Sequence, residues 1–152
     1  MVKRISFLLL ACFVFTLVAT AQTVVHINAG SRANYGTYQN LLINLDGQCN
    51  YQLREVNGTT KDSSVFNISK SQLDSIFQRA DKLGFFQLDH KYDGGLADGA
   101  GILIALNNSG KKKTVQLVNT DLPQVNELVA FINRILEPQK IRIYYGQSVP
   151  QK

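Results

Sequence analysis

The residues best placed to do chemistry in this chain lie between His90 and Gly101. Asp93-Gly94-Gly95-Leu96-Ala97-Asp98-Gly99-Ala100-Gly101 sets two carboxylates among four glycines, with His90 and Tyr92 just before them. Glycine lets a backbone approach a ligand closely, and Asp93 with Asp98 could offer oxygens to a hard cation such as calcium. The spacing matches no calcium loop and supplies no third carboxylate. The segment also lacks a Gly-x-Gly-x-x-Gly pattern and runs into a strand rather than a helix, the wrong order for cradling phosphate. A flexible connection explains the same composition. As a hydrolytic site, the segment would use Asp93 and Asp98 with His90 nearby.

Other reactive residues are scattered. His26 and His90 lie far apart, and Cys49 could meet either only through tertiary folding, whereas a nucleophile needs a base within hydrogen-bond reach. These three residues show no zinc-ligand spacing, so no metal or cofactor is expected. Tyrosine is more suggestive. Tyr35, Tyr38, Tyr51, Tyr92, Tyr144 and Tyr145 fall mostly in loops or at expected edges, and a ring with a polar tip suits a surface that touches a partner. Tyr144-Tyr145 on a terminal strand could receive an added strand from another chain. The candidate partner-binding residues are therefore Tyr92, Asp93, Asp98, Tyr144 and Tyr145.

Charge narrows the partners. The chain has 16 basic and 11 acidic residues, and without Lys3 and Arg4 the balance is 14 to 11. The basic run Lys111-Lys112-Lys113 follows Asn107-Asn108-Ser109-Gly110, a hairpin tip, where lysines keep an edge soluble. Nucleic-acid binding would need more cations interleaved with aromatics, so it is not expected.

The first 21 residues read as a secretory signal. Lys3 and Arg4 precede an almost unbroken apolar run from Ile5 to Val18, and Ala19-Thr20-Ala21 supplies small residues for cleavage. The run is 14 residues long, short of the roughly 20 a membrane span needs. A secreted or periplasmic location follows, with Leu9-Leu10-Ala11-Cys12 as a lesser, lipoprotein alternative. Removing 1–21 leaves Cys49 as the lone cysteine, so no disulfide framework is available and a packed core must hold the domain. Cys49 then reads as a small buried residue. Asn57, Asn67 and Asn107 begin glycosylation sequons, which matter only in a host that glycosylates exported asparagines.

The remaining elements suit one domain over 22–146 with a flexible tail at 147–152. Strands are expected over 23–28, 38–45, 49–56, 102–106, 114–118 and 141–145, with a brief pairing at Val65-Phe66. Asp46-Gly47 marks the clearest hairpin. Ser69 and Gln72 form a capping box for a helix whose stripe is Leu73, Ile76, Phe77, Ala80 and Leu83, ended by Gly84. A second helix begins near Asp121 with Pro123 in its first turn, buries Val125, Leu128, Val129, Ile132, Ile135 and Leu136, and stops at Glu137-Pro138. Ile102 to Leu106 is apolar on both sides and reads as the sheet's centre. The fold class is α+β, an antiparallel sheet of five to six strands with two helices on one face.

From Ile68 to Leu136 the chain resembles a family of uncharacterised secreted bacterial domains. The resemblance is carried by Ser71-Gln72-Leu73, Gly84-Phe85-Phe86-Gln87-Leu88, the Tyr92 and Asp98 loop, Gly110-Lys111 to Val115, and Pro123 before an apolar helix. It implies an exported domain without an assigned activity. The β-rich layout and proline-led last helix are also similar to small protein inhibitors of metalloproteases. The leading expectation is an exported non-enzymatic module that binds a protein or peptide. A secreted protease inhibitor and a hydrolase stand as alternatives.

Overall fold

A computed structural model describes residues 22–30, 36–95 and 100–145. The leader with Cys12, as well as Tyr35, Asp98 and the tail from 147, lies outside the described residues. Seven strands make one sheet: β1 (Thr23–Gly30), β2 (Thr37–Asn44), β3 (Gln48–Glu55), β4 (Thr60–Asn67), β5 (Lys91–Asp93), β6 (Gly101–Asn108) and β7 (Lys111–Val118). Their spatial order is β4-β3-β2-β1-β6-β7-β5. Every neighbouring pair is antiparallel except β5 with β7. Helices α1 (Lys70–Lys82) and α2 (Pro123–Leu136) complete the α+β fold.

Period-2 alternation puts the core on one face of the sheet. Ile27 of β1 stands opposite Leu41 of β2 and Ile104 of β6, and all three are fully buried. Val115 and Leu117 extend that face across β7, while Cys49 and Tyr51 extend it across β3. The stripes Leu73, Ile76, Phe77, Ala80 and Val125, Leu128, Val129, Ile132, Leu136 close over it in a single apolar cluster. Each fully buried aliphatic side chain contributes about 1.5–3 kcal/mol, so this layer dominates the fold's stability. On the opposite face, the register aligns Gln52, Asn40, Asn28, Leu103 and Gln116 in one cross-strand row.

The helix ends follow their local chemistry. Ser69 Oγ accepts from Gln72 N at 3.1 Å and Ser69 N donates to Gln72 Oε1 at 2.8 Å, the expected capping box. Behind α1, Phe85 is fully buried in a 3-10 turn and meets Phe86 edge-on at 6.0 Å. Leu122, not Asp121, is the N-cap of α2, and Pro123 starts the helix without a side-chain cap. Proline is a tolerated first residue because the N–H it lacks has no partner within the helix at that position and its fixed φ already suits the helix.

Four features depart from the expected layout. The sheet has seven strands and one parallel pair, more than the five to six antiparallel strands expected. β4 is a full eight-residue strand rather than a brief pairing at Val65-Phe66. Its Lys61, Asp62 and Ser63 are exposed, so backbone pairing to β3 holds it and no apolar alternation announces it. β1, not β6, is the central strand. His26 and Asn28 face the polar side and hide that centrality, while Leu103 and Ala105 are only half-buried on the same side. Finally, 141–145 forms no strand.

Candidate functional site

The region around His90 is engaged in its own architecture. His90 Nδ1 lies 3.1 Å from the carbonyl of Thr114, and the carbonyl of His90 accepts from Gln116 N at 2.9 Å. Tyr92 is half-buried and its hydroxyl accepts from Asp89 N at 2.9 Å. Asp93 Oδ1 accepts from Gly95 N at 3.0 Å, and Oδ2 pairs with Lys91 Nζ at 3.0 Å. The Gly95 amide first, and then Lys91, hold the Asp93 carboxyl below its ordinary range. Two of the glycines, Gly94 and Gly101, have a packing reason. A Cβ on Gly94 would sit 2.2 Å from Asn119 O, and one on Gly101 would sit 2.3 Å from Leu117 O. They let β5 and the start of β6 lie against the end of β7. Asp98 lies outside the described residues, so its place beside Asp93 is not part of this geometry.

Cys49 is fully buried, its Sγ 3.5 Å from Gly47 O, and burial pushes the thiol up to about 11. A protonated thiol without access to solvent is a poor nucleophile. His26 Nε2 is 2.8 Å from Asn40 Oδ1 on the polar face of the sheet, two strands away from Cys49. Among the described residues, no three histidine, cysteine, aspartate or glutamate side chains cluster to hold a metal ion. Lys111 reaches Asp81 of α1 at 2.9 Å and lies 5.6 Å over Phe86, tying the expected solubilising hairpin to the helix layer.

A concave surface lies elsewhere, along residues 140–145, a strap that leaves the 3-10 turn Glu137–Gln139 at Lys140. Ile141, Ile143 and Tyr145 are buried, while Arg142 is exposed and Tyr144 half-exposed, the alternation of a strand. Over residues 142–144 the strap's backbone bonds to side chains. On one edge Gln39 Nε2 donates to Arg142 O at 2.7 Å, and Tyr144 N donates to Gln39 Oε1 at 2.8 Å. On the other, Asn133 Nδ2 donates to Ile143 O at 3.0 Å and Ile143 N donates to Asn133 Oδ1 at 2.8 Å. Two amides, one from β2 and one from α2, thus take the place of neighbouring strands. The second donor of Gln39 goes to Tyr51 Oη at 3.0 Å, which completes its hydrogen bonding in a buried site. Tyr145 donates to Asn126 Oδ1, and burial raises its phenol further above the ordinary range.

A cleft flanks the strap on each side. The first, of about 360 Å³, is bounded by Thr37, Gln39, Leu53, Asp62, Arg142 and Tyr144. The second, of about 760 Å³, runs between the strap and α2 past Asn126, Ala130, Asn133, Arg134, Arg142 and Tyr144. The Arg142 guanidinium lies 5.5 Å over the Tyr144 ring, and that of Arg134 lies 5.4 Å over Phe131. Such stacking limits where a cation can swing while leaving its edge free to bond.

Tyr92 and Asp93 therefore do not share a site with Tyr144 and Tyr145. Tyr92 and Asp93 belong to β5 at one sheet edge, and Tyr144 and Tyr145 belong to the strap that is pinned to β2. Four strand spacings, roughly 19 Å, separate β2 from β5. Nothing local marks Asn133 as a clamp, whereas Gln39 carries a signal. Gln39 shares parity with Leu41 and Ile43, so it is a polar residue at an inward position.

A family match covers residues 37–136, two-thirds of the chain. The chain belongs to the family DUF6438, a domain of unknown function. The DUF6438 match runs from the start of β2 to the end of α2 and includes both clamping amides. β1 and the strap lie outside it. None of the curated proteins matches the chain. No helix among the described residues is long and apolar enough to cross a membrane.

Proposed function

We propose that the chain is an exported, non-enzymatic module that binds a protein or peptide in the envelope or outside the cell, through the clefts beside residues 140–145. One observation carries the reading. Two clefts meet on a single strap, and Tyr144 lines both. An aromatic ring with a polar tip, held on a backbone clamped from both edges, is a rigid contact that loses little freedom on binding. Supporting it, Cys49 is buried, and His90 and Asp93 are each engaged with neighbouring backbone. The leader 1–21 places the module outside the cytoplasm in this reading.

The test is capture from the exported fraction with the mature chain and with Tyr144→Ala. The Tyr144 backbone bond to Gln39 survives this change, so the fold should keep its thermal midpoint within a few degrees. The mature chain should retain a specific partner, and the variant should lose at least ten-fold of it. Equal retention by both would overturn the site. Recovery of secreted chain beginning at Gln22 is the expected export result, and retention of the whole chain inside the cell would overturn that part.

A further inference from the structure

We infer that the larger cleft, between α2 and the strap, recognises an acidic extended segment of the partner, with its carboxylates paired to Arg134, Lys140 and Arg142. The inference rests on the binding-module reading and names the partner's chemistry. Among the described residues, five ion pairs form, and they use Lys61, Lys70, Arg79, Lys91 and Lys111. The three cations of this cleft belong to none of them. Among the described residues that line the cleft, Glu137 is the one carboxylate, which leaves a local excess of two positive charges. Two of the three are already steadied over aromatic rings, Arg134 on Phe131 and Arg142 on Tyr144.

Lys140, in the left-handed turn that opens the strap, and Arg142, two residues further on, place two of the cations on the same wall of the cleft. Val129, Ala130 and Tyr144 supply apolar surface between the charges, where a peptide's intervening side chains can rest. Arginine can meet a carboxylate with two parallel hydrogen bonds, so the cleft offers geometry as well as charge. A polynucleotide would want a longer run of cations and several stacking rings.

The test uses the isotope-labelled mature chain titrated with a short peptide of alternating glutamate and valine, followed by amide chemical shifts. A peptide with glutamine in place of glutamate and an oligothymidine of equal charge serve as competitors. Shifts should concentrate on 129–137 and 140–145, and affinity should fall several-fold from 20 to 200 mM salt. Arg134→Gln with Arg142→Gln should weaken binding at least ten-fold. Lys112→Gln with Lys113→Gln changes the net charge equally and should weaken it less than two-fold. The inference is overturned by equal binding of the glutamine peptide or the oligothymidine, by shifts centred on 111–113, by equal losses in the two double variants, or by no binding at millimolar peptide. If the acidic peptide fails while Tyr144→Ala still loses the captured partner, the acidic assignment falls and the binding module stands.

Discussion

β5 and the strap are two short segments laid beside the same sheet, and they are held by opposite means. β5 has regular backbone pairing with β7, yet Lys91 and Asp93 are exposed and only Tyr92 packs inward. The strap has no strand partner, yet it buries Ile141, Ile143 and Tyr145 and satisfies its backbone with Gln39 and Asn133. Pairing and burial are thus separable. Burial sets the stability of a segment, and an amide side chain can stand in for a missing strand wherever leaving the backbone unbonded would be costly.

The sharpest way to break this contrast is to end the chain at Lys140. Three buried side chains at about 1.5–3 kcal/mol each would be lost, against the roughly 5–15 kcal/mol that a domain of this size has in total. Cooperative urea unfolding should be lost or its midpoint greatly lowered. Loosening the β5 pairing by replacing Lys91 and Asp93 with glycine, which raises the freedom of the unfolded backbone, should leave a cooperative transition. If the two changes prove equally damaging, pairing and not burial sets the stability.

Next in size is Gln39→Leu, which conserves apolar bulk but leaves Arg142 O and Tyr144 N without their partner. We expect a loss of about 2–4 kcal/mol by urea unfolding, because unmet buried backbone groups cost about 1–3 kcal/mol each. Asn133→Leu should cost a similar amount, and the two variants together should cost less than their sum if both act through the strap. A loss below half a kcal/mol in either, by the same measurement, would mean the strap holds without its clamp.

A pH scan separates the buried corner from the exposed edge. Unfolded, the Cys49 thiol titrates near 9.0, and folded it titrates near 11. Below pH 9 both states keep the proton, and between 9 and 11 only the unfolded chain releases it. Stability should therefore fall as pH rises through this window, by about 2–3 kcal/mol at its upper end. Burial raises Tyr51 and Tyr145 as well, so their contribution falls in the same direction above about 10. Cys49→Ala should remove the part that begins at pH 9 and keep the later part. Thermal melts of the two chains from pH 7 to 10.5 measure the difference, and superimposable curves would contradict it.

The smallest effect belongs to the β5 edge. Asp93 is held below its ordinary value of 3.8 by the Gly95 amide and Lys91, so its contribution is present at neutral pH and lost as the solution is acidified through the folded value. Because the group is exposed, Asp93→Asn should move the thermal midpoint by no more than a degree or two at pH 7. It should also flatten the acid side of the melting profile slightly.

Much of the layout was legible because it is written in local chemistry. The Ser69 and Gln72 box, the turn at Asp46-Gly47 and the α2 stripe each depend on residues a few positions apart. β4 escaped because Lys61, Asp62 and Ser63 face solvent, where pairing leaves no hydrophobic trace. β5 escaped because three residues cannot establish a period. Alternation over 141–145 predicts a strand edge for Tyr144 and Tyr145, but the structure assigns them a strap whose neighbours are a helix and the sheet's inner face. Gln39 lies more than a hundred residues from the backbone it bonds, a separation that no local pattern encodes.

The sequence by itself determined the α+β class, both helices, the burial of Cys49 and the inward face of the main strands, because periodicity and caps are short-range properties. Only the tertiary structure decided that β1 is central, that Gly94 and Gly101 serve close packing, and that two distant amides clamp residues 142–144 between paired clefts. Those outcomes depend on which surfaces meet, and hydrogen bonds between residues 10 to 105 positions apart form only once the hydrophobic core has brought them together.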